Sequence, residues 1–522
     1  MLKLSEKFYA GVHIMKKVLS VILAIIITSL TCLPALAVGE KCNCGEPPII
    51  YVAALGSGTL TLDAGTENER VLFRPDMGYV ISELTPVISA AGNLISTGDY
   101  DAFGDVLVEC VDKIFGELAL DQDGNSSDRV TCEEFHPTDE VPHSLDHNYY
   151  FGYDFRLDPI ENAKKLYDYV QEVKALTNHD TVRFRASSMG GVTTMSYIRL
   201  YGTEDIETII FQCCPLLGTA VAGELYTGKV KLDADAIERY AAQAMPELEN
   251  DFLGGIVYML LELLTTAGLL DLIVEIGDDL ISNLEDKVFN ECLIPIFATM
   301  PGIWSFVPHE YYEEAKIFMQ LDPVKNAKLI ERIDFYHYEV QQSAEELIAE
   351  SKANGTTFYN VVGYNMQRTP LVSAYLNDSD GTVDTMYASL GATCANVNNL
   401  LPSDYRQQKH TDKDYMSPDW KIDASTSIMP ESTWFVKDMM HSSTHDGHDE
   451  MYKWMFMSDE QLTVFDNPDY PQFMQNDVKN QTFIPVVEEK GTIGTSFDNF
   501  FRMPSFIHFI DLISKLIKYF LP

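Results

Sequence analysis

The fold of this chain is restricted most by a regular alternation of apolar strands and amphipathic helices in its first half. The pattern predicts strands at Tyr149–Phe155, Thr181–Arg185 and Ile206–Gln212, with helices at Ile160–Leu176 and from Met189 through Leu200. Strands that are separated by helices pair in parallel, because each helix carries the chain back across the sheet. The alternation therefore predicts the α/β class, a mostly parallel sheet covered by helices on both faces.

The second of these strands runs into a segment of small residues, Ala186-Ser187-Ser188-Met189-Gly190-Gly191. A sharp turn from a strand into a helix strains its central residue, so the residues two before and two after it have to be small. Ala186 and Gly190 meet this requirement around Ser188, whose hydroxyl would stand at the carboxyl edge of the sheet. We therefore predict Ser188 as a nucleophile; the alternative is an ordinary turn in which a serine caps the helix.

A nucleophilic serine needs a general base, and the base needs a carboxylate that orients it. With this type of turn both follow the serine in the chain, the carboxylate first. Asn377-Asp378-Ser379-Asp380-Gly381-Thr382-Val383 forms a turn soon after sheet signals at Thr357–Val362. Asp380 is the predicted acid, and Asp378 is the alternate.

The histidine is expected after a further strand. The residues Thr433–Met439 have strand character and lead into His441, His445 and His448. His445 is the predicted base, with His441 and His448 as alternates. Three histidines this close could bind zinc if the segment were helical, but the Ser-Ser-Thr and Asp-Gly residues between them favour a loop. We therefore predict no metal site, and no cofactor.

The N-terminus predicts secretion. Lys16 and Lys17 precede an apolar run, Val18–Ile27, and Ala35-Leu36-Ala37 supplies the small residues of a cleavage site. This is the pattern of a signal peptide over residues 1–37. The mature protein is accordingly expected to be secreted or extracytoplasmic.

The cysteines are expected to meet an oxidising environment. Of nine, Cys32 leaves with the signal peptide, so eight remain and can pair outside the cell. Cys110 and Cys132 flank a polar insert and are a plausible disulfide. The adjacent Cys213 and Cys214 are expected to be buried and unbridged.

The charge balance excludes one class of partner. The chain has 37 Lys and Arg residues against 78 Asp and Glu residues, a net charge of −41. Nucleic acid and strongly anionic membranes repel such a surface. We therefore predict no nucleic-acid partner.

The alternation of strands and helices stops near residue 219. From residue 220 to 351 the pattern is helical, and it includes Phe252–Ile276, which is apolar nearly all round but carries too many acidic residues for a membrane span. The sequence thus predicts a core in two parts, 38–219 and 352–490, interrupted by a helical cap over 220–351 and followed by a tail over 491–522.

The tail contains a predicted amphipathic helix, Phe506–Leu521. His508, Asp511, Lys515 and Lys518 recur at helical spacing and share one face. The segment is too short and too polar to span a bilayer, so it either docks on its own domain or lies in a lipid interface. Both alternatives remain open at this point.

One acidic loop, Asp121–Asp128, has the composition of a calcium site. Its glycine, Gly124, stands at the fourth place rather than the sixth, and no glutamate stands at the twelfth. The sequence therefore predicts a solvated turn.

Several segments carry a family resemblance. They are, in chain order, Ile49–Leu60, Tyr153-Asp154-Phe155-Arg156-Leu157-Asp158-Pro159, Ser188-Met189-Gly190-Gly191, Cys214–Thr219, Met300–Trp304, Asp380-Gly381-Thr382-Val383, and the pair His441 and His445. Together they resemble the lecithin:cholesterol acyltransferase-like branch of the α/β-hydrolases over roughly residues 47–457. The resemblance implies an α/β-hydrolase fold with a helical cap, and a triad whose base is the second histidine of the pair. It also implies an oxyanion hole, for which we predict the backbone amides of Leu55 and Met189.

The sequence departs from the pattern of this branch in three places. Ala53-Ala54 stands where the oxyanion loop usually has Pro-Gly, and Ala186-Ser187 stands for Gly-His before the nucleophile. Arg183 and Arg185 fall in the predicted central strand, where an unpaired charge would be costly.

The residues and the resemblance together predict a secreted serine ester hydrolase (lipase, phospholipase or esterase) or an acyltransferase that acts on lipid-like esters. The departures motivate an alternative, a hydrolase-fold surface or binding protein whose triad is degenerate. A peptidase is a third possibility, because the same triad cleaves amides.

Overall fold

The computed structural model describes residues 46–487, apart from 241–282, shorter gaps within 74–96 and 232–238, and positions 142, 285, 371, 442, 444–445 and 459. The predicted signal peptide, the apolar cap segment Phe252–Ile276 and the tail helix Phe506–Leu521 lie outside the described residues.

The described part of the chain contains fifteen strands. In chain order these are β1 (Ile49–Val52), β2 (Leu60–Leu62), β3 (Arg70–Val71), β4 (Val130–Cys132), β5 (Asn148–Phe151), β6 (Val182–Ser187), β7 (Ile206–Gln212), β8 (Thr357–Tyr364), β9 (Met366–Gln367), β10 (Asp378–Ser379), β11 (Thr393–Cys394), β12 (Ile422–Asp423), β13 (Thr433–Lys437), β14 (Phe473–Asp477) and β15 (Thr482–Pro485).

Eight of these strands form one sheet, in the order β15-β14-β13-β8-β7-β6-β1-β5. Neighbouring strands in it run parallel, except that β15 is antiparallel to β14. The three strands predicted in the first half of the chain are β5, β6 and β7, so the predicted parallel sheet is confirmed. Shorter antiparallel sheets join β3-β2-β4, β9 with β10, and β11 with β12.

The described helices are, in chain order, α1 (Tyr100–Phe115), α2 (Pro159–Thr177), α3 (Met189–Tyr201), α4 (Ala220–Leu225), α5 (Ile294–Phe297), α6 (Pro301–Trp304), α7 (His309–Phe318), α8 (Ala327–Tyr336), α9 (Ala344–Ala353), α10 (Thr385–Ala388) and α11 (Asp446–Phe456). Single turns of 3-10 helix lie at Gly116–Leu118, Ser373–Leu376, Ala424–Thr426 and Pro430–Ser432, and π-helical turns at Phe289–Leu293 and His337–Gln341. Among these residues no helix is both long enough and apolar enough to cross a membrane.

Apolar side chains cover both faces of the sheet. Successive residues of β7 point to opposite sides, so that Ile209 packs in a core with α2 and α3, whereas Ile210 packs in a second core with α11. A sheet that is buried on both faces requires nearly continuous apolar strands, which explains why β7 and β8 do not alternate with polar residues.

The ends of α2 are fixed by local sequence. The carboxylate of Asp158 accepts a hydrogen bond from the backbone N–H of Ile160, and Pro159 occupies the first helical position. Asn178 ends the helix in the left-handed conformation, with φ of 56°. These signals are why the predicted helix Ile160–Leu176 is confirmed at almost the same boundaries.

The region between β7 and β8 is helical where it is described, and its last helix belongs to the main core. Val340, Leu347 and Ile348 pack in the same apolar cluster as Phe184 of β6 and Phe358 of β8. Helix α9 therefore covers one face of the sheet next to α3, although it falls within the segment 220–351 that the sequence predicts as cap.

The acidic loop Asp121–Asp128 is held by helix α8. The Lys328 ammonium pairs with the Asp123 carboxylate at 2.8 Å, and Arg332 donates to the backbone carbonyls of Asp123 and Gly124 at 2.9 and 3.0 Å. Side-chain cations thus contact oxygen atoms of the loop. Most residues of the loop are exposed, so the solvated turn that the sequence predicts is confirmed, and the turn also binds α8 through these contacts.

The predicted disulfide between Cys110 and Cys132 is wrong, because both are free thiols. Cys110 lies on α1 and is buried in an apolar cluster with Phe103 and Ile114. Cys132 ends β4 and packs against the main core instead. The two thiols face different clusters, which their positions in the sequence do not reveal.

The two arginines of β6 are paired. Arg183 forms ion pairs with Glu207 at 2.9 Å and with Glu46 at 3.2 Å. Arg185 pairs with Asp449 at 2.9 Å, and its guanidinium lies 4.2 Å from the centre of the Tyr452 ring. Neither of the two charges in this strand is therefore unpaired.

Candidate active site

Ser188 stands on a strained turn between β6 and α3. Its φ is 52° and its ψ is −123°, a conformation that non-glycine residues rarely adopt. A Cβ atom added to Gly190 would lie 2.0 Å from the carbonyl oxygen of Val52, so only glycine fits two residues after the serine. The turn thus has the sterics on which the nucleophile prediction depends.

Three side chains from the carboxyl edge of the sheet form one hydrogen-bonded chain. Nε2 of His441 is 2.9 Å from Oγ of Ser188, and Nδ1 of His441 is 2.8 Å from Oδ2 of Asp380. In chain order, the serine comes directly after β6, the aspartate comes directly after β10, which itself follows β8 and β9, and the histidine comes after β13. Ser188 and Asp380 are buried, and His441 is partly buried.

The carboxylate of Asp380 is fixed on its other side by its own turn. Its Oδ1 accepts hydrogen bonds from the backbone N–H groups of Thr382 and Val383, at 3.0 and 2.7 Å. Its backbone carbonyl also accepts from the N–H of His441 at 2.7 Å. The acid is therefore oriented by local backbone, and it ties the start of the histidine loop to itself.

The histidine in this chain is the alternate, His441, and not the first choice, His445. The backbone hydrogen bond to Asp380 holds His441 close to the end of β13, and its imidazole reaches both partners from there. His445 lies outside the described residues. His448 is buried on α11, where its ring stacks on Phe483 at 4.6 Å between centroids. The structure thus places the alternate, His441, between Ser188 and Asp380.

The alternate acid, Asp378, is engaged elsewhere. Its Oδ1 accepts a hydrogen bond from the backbone N–H of Asn365 at 2.5 Å, and its Oδ2 lies 3.3 Å from the Lys421 ammonium. Burial raises the pKa of this carboxyl, and the charge of Lys421 opposes the rise. Asp378 thus lies only two residues before Asp380, but its carboxylate binds Asn365 and Lys421.

The environment of His441 suits a general base. Burial by itself would lower the pKa of the imidazole, but the negative charge of Asp380 and its hydrogen bond raise the pKa above the ordinary value of 6.5. A raised pKa makes the imidazole a stronger acceptor for the serine proton.

The two predicted oxyanion donors lie at the ends of neighbouring strands. Met189 is the first residue of α3, directly after the nucleophile, and Leu55 lies in the turn that follows β1. The chain between β1 and this turn is fixed because the Tyr153 hydroxyl donates to the carbonyl of Ala53 at 2.9 Å. Since β1 pairs with β6, the two backbone segments share one edge of the sheet.

A residue that the sequence did not single out for the site is Cys213. It follows β7 in a left-handed conformation, with φ of 50°. Its Sγ, a carboxylate oxygen of Asp380 and a ring nitrogen of His441 all lie within 4.8 Å of one another. As predicted, Cys213 and Cys214 are buried and unbridged. The only signal in the sequence was their position at the carboxyl end of a predicted core strand.

A second residue that the sequence missed is Asp384, which ties the turn at Asp380 to the start of α4. Its carboxylate accepts from the hydroxyl of Thr219 at 3.0 Å and from the backbone N–H of Ala220 at 2.7 Å, both at the start of α4. It also pairs with Arg368 at 3.3 Å, and both side chains are fully buried. Helix α4 is therefore docked on a residue that lies four positions after Asp380.

Two segments that carry the family resemblance contact each other. The guanidinium of Arg156 is fully buried and binds both carboxylate oxygens of Asp154, at 3.0 and 2.7 Å. The Arg156 carbonyl accepts from the N–H of Gly302, at the start of α6, at 3.0 Å. A Cβ atom on Gly302 would lie 1.9 Å from the carbonyl oxygen of Phe155, so glycine is required for this close approach.

Strand order and the chain positions of the site define the architecture. A serine on a strand-to-helix turn, followed in the chain by an aspartate and then a histidine after later strands of a mostly parallel sheet, is the arrangement of the α/β-hydrolase fold. The predicted fold class is therefore confirmed.

Comparison with known proteins adds little to this. No protein-family model matches the sequence, and no curated protein matches it. A chain in the crystal structure of the Tle4–Tli4 complex is similar over 79% of this chain and 98% of that chain, with 10% identity and a TM-score of 0.30. A likeness this distant carries no argument about activity.

Proposed function

We propose that this protein is a serine hydrolase of carboxylic esters, with Ser188 as nucleophile, His441 as general base and Asp380 as the orienting acid. The observation that carries the proposal is the unbroken hydrogen-bond chain from Oγ of Ser188 through His441 to Asp380, with links of 2.9 and 2.8 Å. This geometry lies within the range that a working triad requires.

The reaction follows from these contacts. Oγ of Ser188 attacks the ester carbonyl while Nε2 of His441 takes its proton, and the Nδ1–H of the imidazolium stays hydrogen-bonded to Asp380. The tetrahedral intermediate collapses, and His441 gives the proton to the departing alcohol. A water or a second alcohol then attacks the acyl-serine by the same route in reverse.

The developing oxyanion is assigned to the backbone amides of Met189 and Leu55. Met189 directly follows the nucleophile at the start of α3, and Leu55 follows the neighbouring strand β1. Met189 also adds the N-terminal dipole of α3. In comparable sites one such donor contributes about 3 kcal/mol to the transition state.

The substrate class is proposed as lipid-like esters. Support comes from the resemblance to the lecithin:cholesterol acyltransferase-like branch, whose segments at Arg156 and Gly302 are in contact in this fold. Whether water or an alcohol accepts the acyl group defines hydrolase or acyltransferase activity, and added alcohol that yields a new ester would identify the latter. We further propose that the protein is secreted, on the strength of the signal-peptide pattern over residues 1–37.

The competing proposal is a hydrolase-fold binding protein with a degenerate triad, and one of the two observations that supported it no longer does so. It depended on unpaired arginines in the nucleophile strand, and Arg183 and Arg185 are both paired. The other observation remains, which is that Ala53-Ala54 stands where the oxyanion loop of the family usually has Pro-Gly. Turnover of a short-chain p-nitrophenyl ester would exclude it, and turnover of an amide in place of the ester would indicate a peptidase.

The decisive experiment is labelling with a fluorophosphonate probe. A fluorophosphonate reacts only with a serine whose hydroxyl is activated. Wild-type protein is expected to label on Ser188 and Ser188→Ala to lose the label. Ser187→Ala is the matched control, because Ser187 is the adjacent hydroxyl and lies at the end of β6. Failure of the wild type to label, or labelling that Ser188→Ala does not change, would refute the proposal.

The pH dependence of the reaction follows from His441. Only the neutral imidazole accepts the serine proton, so kcat/KM falls as the pH drops through its pKa. Because Asp380 raises that pKa above 6.5, the midpoint of this fall is expected above about pH 6.5, and Asp380→Asn is expected to move it to lower pH. The measurement is kcat/KM on a soluble ester from about pH 5 to about pH 9. A wild-type midpoint below 6.5, or one that Asp380→Asn leaves in place, would contradict this assignment.

The predicted tail helix gives a test of interfacial action. Deleting residues 505–522 is expected to lower activity on emulsified or micellar ester more than on a soluble short-chain ester, because the helix would bring the enzyme to neutral or zwitterionic lipid. Both rates and the melting temperature are measured on the same preparations. Equal loss on the two substrates together with a lower melting temperature would show that the helix is part of the folded core.

A further inference from the structure

A thiol lies beside the acid–histidine pair. The metal-ligating atoms of Cys213, Asp380 and His441 are all within 4.8 Å of one another, and the first two residues are buried. Of the described residues, this is the one group of three or more histidine, cysteine, aspartate and glutamate side chains close enough to share an ion.

The position of this thiol is set by the backbone. Cys213 follows β7 with φ of 50°, which costs a non-glycine residue strain, and its N–H donates to the carbonyl of Val361 at 2.9 Å. The next residue, Cys214, is equally buried, but its thiol donates to the carbonyl of Ala186 at 3.2 Å. Of these two adjacent cysteines, only Cys213 belongs to the cluster with Asp380 and His441.

We propose that Cys213, Asp380 and His441 form an inhibitory site for a soft divalent cation such as Zn²⁺. The proposal rests on the proposed function, because two of its ligands are members of the triad. Thiolate, imidazole and carboxylate are the ligands that zinc prefers. Metal–ligand bonds of about 2.0 to 2.3 Å in a tetrahedron place ligand atoms roughly 3.2 to 3.7 Å apart. The three groups need only small movements to reach this spacing.

Binding at this site and catalysis exclude each other. Coordination by the Cys213 thiolate releases one proton to solvent. The neutral imidazole of His441 binds through Nδ1 after its ring proton moves to Nε2, so it releases no further proton, and no electron is transferred. The metal takes the place of the Nδ1–H hydrogen bond to Asp380, so the imidazole loses the contact that orients it toward Ser188. The fourth coordination position is left to water.

The binding test uses the Ser188→Ala variant, which keeps all three ligands and cannot turn over ester. Co²⁺ is the probe, because a cobalt–thiolate bond gives an intense near-ultraviolet absorption band. We expect one such band per chain in Ser188→Ala, its loss in Ser188→Ala/Cys213→Ala, and its retention in Ser188→Ala/Cys214→Ala. Circular dichroism checks that each variant is folded. If Cys213→Ala does not fold, Ser188→Ala/His441→Asn replaces it, and there the band is expected to be weakened at the same Co²⁺ concentration, because one ligand is removed and the thiolate remains.

The activity arm uses the enzyme with intact Ser188. Zn²⁺ is expected to lower its ester hydrolysis at least about tenfold, whereas Mg²⁺, which prefers oxygen ligands, is expected to have no such effect. In Cys213→Ala the Zn²⁺ concentration for half inhibition, measured against that variant's own metal-free rate, is expected to rise at least about tenfold.

The two proposals fail in different ways. A cobalt band that is unchanged in the Cys213→Ala variant, or zinc inhibition equal in Cys213→Ala and Cys214→Ala, would overturn the metal site and leave the hydrolase standing. Binding of Co²⁺ that depends on Cys213, in a protein whose intact Ser188 does not react with a fluorophosphonate, would support the metal site and refute the hydrolase.

Discussion

Replacing His441 with alanine is expected to lower kcat/KM for a soluble ester by roughly 1,000-fold or more. The imidazole is the group that takes the serine proton, and Nε2 lies 2.9 Å from Oγ of Ser188. Without it the hydroxyl keeps its proton at neutral pH, and only substrate binding and the oxyanion donors remain to accelerate the reaction. The measurement is steady-state hydrolysis of a p-nitrophenyl ester, with circular dichroism to show that the variant is folded.

The matched control is His445→Ala, four residues further along the chain. Because His441 already makes the hydrogen bonds to Ser188 and to Asp380, this control is expected to keep activity within about threefold of the wild type. The reverse result, loss of activity in His445→Ala and retention in His441→Ala, would restore the assignment that the family resemblance implies.

Replacing Asp380 with asparagine is expected to lower kcat by about 10,000-fold, as the same exchange does in comparable triads. Asparagine preserves the size of the side chain but removes the charge that stabilises the imidazolium and that fixes its tautomer. The backbone hydrogen bonds from Thr382 and Val383 to Oδ1 can still form with the amide oxygen. The loss is therefore expected in catalysis, with a melting temperature close to that of the wild type.

Asp378→Asn separates catalysis from stability at the same turn. Asp378 pairs with the buried ammonium of Lys421, and removing one partner of a buried ion pair costs about 3 to 5 kcal/mol. This variant is expected to melt at a clearly lower temperature, and below that temperature to keep kcat within about tenfold of the wild type. If Asp378→Asn lost kcat as strongly as Asp380→Asn, the choice between the two carboxylates would be wrong.

Much of the site was predictable because it depends on local geometry. A strand that turns sharply into a helix admits only small neighbours, so Ala186 and Gly190 identify Ser188 without knowledge of the rest of the fold. The proposed acid was predictable for a related reason, because Asp380 begins a short turn in which the backbone N–H groups of Thr382 and Val383 bind its side chain. In both cases the residues that decide the geometry are within three positions of the functional one.

The base was not predictable in this way. His441 and His445 occur in one polar loop, and the sequence contains no local constraint that separates them. The choice depends on the point at which β13 ends beside β8 and on the backbone hydrogen bond from His441 to Asp380, 61 positions away. The family pattern favoured the second histidine, and the distance from the strand end favours the first.

The sequence by itself determined the parallel sheet, the strained turn at Ser188 and the turn that holds the Asp380 side chain, since strand–helix alternation and turn sterics act between neighbours in the chain. Only the tertiary structure decided the pairing of Arg183 and Arg185, the separation of Cys110 from Cys132, the placement of Cys213 beside the acid, and the selection of His441. Each of these depends on which distant residues a side chain meets after the sheet has formed, and contacts of that kind are set by packing and charge rather than by local pattern.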